Sequence, residues 1–172
     1  PIIVIPTLNV DGHRAGTRTN AHGVDLNRNC PTANWSPAYS EKKNFPGPSA
    51  GSEPENQYLV KLFHKYPPKL IISIHSWKRL LNFNGDCQDV AEFIGKFNKY
   101  PIEADVGYPT PGSLGEYGPK DHNCPVLTYE LPLLGSETDL TFKKIWEENK
   151  EGLLTFMKSK LLYKSFRLEA IK

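Results

Sequence analysis

The sequence has no apolar stretch near the roughly 20 residues of a membrane-spanning helix, so none is read in it. Charge of one sign is also missing. Lysine and arginine number 21 against 19 aspartates and glutamates, a net charge of +2. That balance argues against a nucleic acid or a membrane surface as the main partner. Cysteine is scarce: Cys30, Cys87 and Cys124 are the whole complement, and no two form a C-x-x-C pair. Neither a disulfide framework nor a structural zinc knuckle is signalled. Methionine occurs once, at Met157. The chain opens at Pro1 without an initiator methionine or a signal peptide, inside an apolar run. From this the sequence is expected to be a processed or partial polypeptide. Internal repeats, low-complexity tracts and linkers are absent, and no G-x-x-x-x-G-K-S/T loop offers to cradle a phosphate.

What is present is the pattern of an α/β domain. Three β-branched runs, Ile2–Ile5, Leu70–Ile74 and Val126–Tyr129, predict buried strands. Helices are predicted between and after them. One opens at Ser52-Glu53-Pro54-Glu55, with Ser52 as cap, and stops at Pro67-Pro68. A second carries Val90, Phe93, Ile94 and Phe97. A third starts near Ser136 and runs to about residue 162. Strand–helix–strand alternation implies a largely parallel sheet. Residues 9–51 form a long irregular region rich in Gly, Pro, Asn and Ser, a length that usually means function. Residues after 162 read as a solvated tail.

Two predicted strands run into a polar residue foreign to a core. The first ends in His75-Ser76-Trp77 and the last in Glu130-Leu131-Pro132. In open α/β sheets ligands bind at the carboxyl ends of strands. A histidine and a glutamate placed there suit a metal ligand and a general base. A hydrogen-bonded core histidine and a structural ion pair are the plainer readings of the same positions. The irregular region supplies the donors Arg18, Asn27 and Arg28. An arginine fork matches a carboxylate bidentately, an adjacent amide orients it, and a second arginine suits an oxyanion. Taken singly, each arginine reads equally as a solvated loop residue. Tyr108 lies in the Pro- and Gly-rich stretch 107–115, which predicts a loop able to carry its hydroxyl over a site. Its plainer reading is a packed surface tyrosine.

The ordered series Asn9-Val10-Asp11-Gly12, Arg18, Gly23-Val24-Asp25-Leu26-Asn27-Arg28-Asn29, Pro48-x-Ala50-Gly51-Ser52-Glu53-Pro54-Glu55, His75-Ser76, Tyr108 and Glu130-Leu131 resembles the zinc carboxypeptidases of the pancreatic carboxypeptidase A type. The Tyr108–Gly115 run and the Tyr129-Glu130-Leu131-Pro132 ending resemble the bacterial murein-peptide branch. The resemblance covers roughly residues 1–157. It implies a mixed, largely parallel twisted sheet flanked by helices, with the family's N-terminal strands missing. Residues 1–162 would then be the C-terminal portion of one catalytic domain and 163–172 a tail.

Position by position, the resemblance implies His75 as a zinc ligand and Glu130 as general base. It gives Arg18 the oxyanion, Asn27 and Arg28 the substrate's terminal carboxylate, Tyr108 the closing tyrosine, and Ser76 a backbone contact to substrate. The implied reaction is zinc-dependent removal of a C-terminal residue from a peptide, here a cell-wall muropeptide.

Two departures stand out. Val10 replaces the proline of Asn-Pro-Asp-Gly. More seriously, no His-x-x-Glu pair, the family's other two ligands, is present. His22-x-x-Asp25 is the nearest mimic and overlaps the carboxylate motif. One histidine does not hold a catalytic zinc, which takes three protein ligands. The expectation is one Zn2+ with two further ligands outside this chain, carried by an N-terminal segment that could be a separate chain, and little activity from this polypeptide alone. The alternative is a peptide-carboxylate-binding module that has lost the metal. A metal-free hydrolase built on Ser76 and His75 is disfavoured, because successive strand residues point to opposite faces and no G-x-S-x-G elbow occurs.

Overall fold

The computed structural model describes residues 2–164, with backbone only for 163 and 164, so most of the expected tail, from 165 on, lies outside the described residues. These residues fall into two compact units, one of residues 2–68 with 109–122 and one of residues 69–108 with 123–164.

The second unit is built on a sheet of four strands: β1 (Ile71–Trp77), β2 (Leu80–Asn84), β3 (Ile102–Glu103) and β4 (Val126–Pro132), in the order β1-β4-β2-β3. β1 runs parallel to β4 and β2 parallel to β3, while β2 and β4 are antiparallel. The sheet is therefore mixed and mostly parallel, as the alternation of strands and helices implies. One face is apolar. Leu81, Leu127 and Tyr129 meet Val90, Ala91 and Ile94 of α3 (Gln88–Asn98) and Phe156 of α5 (Phe142–Lys158) in one buried cluster. α5 lies close to α3 at Gly152, where a Cβ would stand 3.2 Å from Phe97 Cβ. A buried polar knot sits in the same layer. Tyr129 Oη donates to Asn149 Oδ1 (2.7 Å), and Asn98 Nδ2 donates to both Tyr129 Oη (2.8 Å) and Asn149 Oδ1 (3.0 Å). Asn149 Nδ2 in turn reaches Tyr100 Oη at 3.0 Å. Every polar atom there has a partner, which is the condition for burying it. Desolvation pushes the Tyr129 hydroxyl well above the usual tyrosine range.

The first unit is held by loops more than by helices. α1 (Val10–Ala15) is capped by Asn9 Oδ1 on Gly12 N at 3.0 Å and closes at Gly16 in the left-handed region, φ 65°. Val10 thus opens a helix rather than merely altering a turn. α2 (Pro54–Lys65) begins with proline in its first turn, where no N–H is needed, and ends at Lys65, with Tyr66 as its C-cap directly before Pro67-Pro68. Asn29 is the hub. Its buried Nδ2 donates to Pro46 O (2.7 Å), Ser49 O (2.9 Å) and Ser52 Oγ (3.0 Å), and its Oδ1 accepts from Glu53 N (3.1 Å). α4 (Leu114–His122) completes the unit, and a short α6 (Lys160–Lys164) follows α5 in the second.

Several expectations are corrected. Ile2–Ile5 is not a strand, and Ile2, Ile3 and Val4 are exposed. A β-branched run becomes a strand only where another strand's N–H and C=O groups face it, and none of the four strands pairs with this one. Glu53, not Ser52, takes the cap position of α2, because Ser52 Oγ is already engaged with Asn29 and Glu53 Oε1. α5 starts at Phe142, not near Ser136: Thr141 Oγ1 caps it on Lys144 N at 3.2 Å. The region 9–51 contains α1 and two 3-10 turns, Leu26–Arg28 and Lys42–Asn44.

Candidate active site

In the second unit β1 and β4 place the two catalytic candidates side by side. The parallel register pairs His75 with Glu130, two residues beyond the pair Ser73 and Thr128. Side chains alternate along a strand, so His75, Glu130, Ser73 and Thr128 share the face opposite the apolar cluster. Adjacent strands lie about 4.8 Å apart, a spacing that lets one small group meet both side chains. Ser73 Oγ lies 3.0 Å from His75 Nε2, within hydrogen-bond reach of the ring. Ser76 follows His75 in β1 and points to the other face, as a strand requires. Tyr108 is half-exposed and packs edge-on against Trp77, with ring centroids 6.4 Å apart. Lys78 Nζ lies over the same indole at 4.5 Å.

The first unit assembles the donors. Asp25, buried, accepts from Arg18 Nε at 2.9 Å on Oδ2, and a second guanidinium nitrogen lies 2.8 Å from that oxygen. Its other oxygen accepts from Asn27 N at 3.0 Å, which starts the turn Leu26–Arg28. One carboxylate thereby sets both Arg18 and the Asn27-Arg28 pair. Leu26 is buried beneath them and its carbonyl accepts from Asn56 Nδ2 at 2.9 Å. Arg28 is steadied by its own chain, donating to Asn27 O at 2.7 Å. By sequence, Asp25 is considered only as half of the His22-x-x-Asp25 metal mimic, not as the bridge between Arg18 and the turn. The signal was there, because an aspartate two residues before a turn amide is an Asx-turn pattern.

His22 and Asp25 do not act as a metal pair. His22 Nδ1 lies 2.7 Å from Glu53 Oε2, while Asp25 is committed to Arg18. Among the described residues no group of three histidine, cysteine, aspartate or glutamate side chains is placed to hold a metal ion. Since catalytic zinc takes three protein ligands, this donor set does not fit zinc: the sequence places one expected ligand, His75, and the described residues do not complete it. The cysteines offer no substitute. Cys30, Cys87 and Cys124 are buried thiols, and desolvation pushes them up to about 12, about 12 and about 11 respectively.

The sequence profile of the zinc carboxypeptidases matches residues 1–99. Murein peptide amidase A of Escherichia coli K12 is 34% identical over 145 residues, covering 78% of this chain and 59% of that protein. The namesake from Vibrio campbellii is 35% identical over 152 residues, covering 82% and 60%. The chain thus spans about 60% of the length of these relatives. Among solved structures, the murein-tripeptide amidase of Escherichia coli O157 superposes with a TM-score of 0.65 at 32% identity, covering 84% of this chain and 65% of that one. Carboxypeptidase A of Helicoverpa armigera gives 0.72 at 20% identity, over 98% and 52%. This second likeness speaks for the fold alone.

Proposed function

From a chain that belongs to the zinc carboxypeptidase family, we propose a zinc-dependent metallocarboxypeptidase or amidase acting on a C-terminal bond of a cell-wall muropeptide. The register of His75 against Glu130 on one face of the sheet is the observation that carries this reading. Glu130 is the general base that takes the proton of the attacking water and returns it to the leaving nitrogen, work that needs a carboxylate within hydrogen-bond reach. Arg18 has five donors. Asp25 engages one edge of the guanidinium, and the opposite edge serves the oxyanion. Asn27 and Arg28 grip the terminal carboxylate, Tyr108 covers the substrate, and the Ser76 backbone contacts it. His75 is one of three metal ligands, and the other two come from outside the described residues. The names of the relatives, murein peptide amidases, support a muropeptide as substrate.

A second reading, a carboxylate-binding module without metal, is favoured by the incomplete donor set. Arg18 and Glu130 weigh against it, because a binder needs neither an oxyanion donor nor a base. Kinetics of Glu130→Gln in zinc-bearing protein separates the two. The expected result is a loss in kcat of about 10²–10⁴-fold, the usual worth of a general base, with zinc content unchanged. Turnover by the variant at the parent rate removes Glu130 from the role.

A further inference from the structure

The Asn27 side chain has only one orientation open to it. Leu114 N, the first amide of α4, donates to Asn27 Oδ1 at 2.9 Å. A backbone N–H has no acceptor in an NH2 group, so the carbonyl end of the amide faces Leu114 and the Nδ2 end faces away. The residues before Leu114 are strapped to the same loop. Cys30 N donates to Gly112 O at 2.9 Å, and Gly112 N donates to Thr32 Oγ1 at 3.1 Å, a buried bond. Gly112 lies so close that a Cβ would overlap the Arg28 carbonyl, and its φ of 72° is open to glycine and strained for other residues. Ser113 Oγ accepts from Glu116 N at 3.2 Å and so starts α4 directly behind the strap.

We propose that this strap, residues 111–114 held by Thr32, is a specificity device: it fixes Asn27 as a donor, so that the clamp accepts a carboxylate and rejects a C-terminal carboxamide. The inference rests on Asn27 and Arg28 being the carboxylate grip. With Nδ2 outward, Asn27 and Arg28 present N–H groups only. A carboxylate meets them with two acceptor oxygens, whereas a carboxamide brings its own N–H groups against donors and leaves one side unpaired. Were the amide free to flip, Asn27 would offer an oxygen and the distinction would shrink. Thr32 and Gly112 are positioning residues in this scheme, and neither is asked to touch the substrate.

Calorimetric titration of the 172-residue chain with a tripeptide, and with the same tripeptide ending in a carboxamide, tests the proposal. The parent is expected to favour the carboxylate. Thr32→Val removes the acceptor for Gly112 N and is expected to cut the carboxylate-to-carboxamide ratio by about three- to tenfold, the worth of one hydrogen bond, and Thr32→Ser restores it. Asn27→Asp keeps an oxygen for Leu114 N but turns the other toward the ligand, and the preference is expected to reverse. A merely structural role lowers both affinities together and leaves the ratio alone. An unchanged ratio in Thr32→Val, with the parent discriminating, overturns the strap. A parent that does not discriminate overturns the carboxylate grip itself.

Discussion

Glu53 shows how a single side chain can serve the scaffold in the same unit as residues proposed for the site. It is buried at the start of α2, and its carboxylate accepts from Asn20 Nδ2 at 2.7 Å and from Ser52 Oγ at 2.7 Å, with the His22 ring at 2.7 Å. Desolvation raises its carboxyl, but the bonds from Asn20, Ser52 and His22 together outweigh it and leave the group below the usual carboxylate range. A folded-state pKa below the unfolded one stabilises the fold at pH above the unfolded value, about 4.3. That contribution is lost as pH falls through the depressed value. Urea unfolding followed from pH 6 to pH 2.5 is expected to show a midpoint falling below about pH 4, and Glu53→Gln flattens that fall. The same acid profile in both proteins contradicts the assignment. Asn29 is the parallel case in the polar run. It follows the proposed clamp residue Arg28 yet commits its whole amide to Pro46, Ser49, Ser52 and Glu53.

At the scale of elements, Glu130 is placed by what lies on the other side of its strand. Tyr129, the preceding residue of β4, points into the knot with Asn98, Tyr100 and Asn149, which joins β4 to α3 and α5. Asn149→Leu removes the acceptor of the Tyr129 O–H, the amide donor to the Tyr100 hydroxyl and one of the acceptors of Asn98 Nδ2. Each buried group left unsatisfied costs about 1–3 kcal/mol, so urea unfolding is expected to show a loss of at least that size, and a neutral result denies the knot its role. The elements legible in the sequence were those with an unbroken period: β1, β4, α2, α3 and the body of α5. β2 was missed because Asn82 and Asn84 interrupt its apolar run, and Asn82 earns its central place only by donating to Glu103 O at 3.0 Å. β3 has two residues and no pattern to read. α4 was hidden by Gly115, Gly118 and Pro119, although Ser113 followed by Glu116 is the spacing of a capping box. The candidate site residues themselves were legible as chemical types. Their placement was not, since the His75–Glu130 register and the Leu114 N–H to Asn27 depend on pairings across long sequence separations.

At the scale of the whole molecule, the chain contributes most of the proposed chemistry and little of the metal site. Arg18, Asn27 and Arg28 belong to the first unit, His75, Ser76, Tyr108 and Glu130 to the second. The murein peptide amidases that it matches are longer, with about 60% of their length covered. The proposed function comes down to hydrolysis next to a free C-terminal carboxylate. Mass spectrometry of a muropeptide after incubation with protein isolated from its own cells and supplied with zinc measures this directly. Release of the last residue as a single product is expected, with the same muropeptide untouched when its C-terminus is capped as a carboxamide. An intact substrate after long incubation, or cleavage that ignores the cap, would contradict the proposed function.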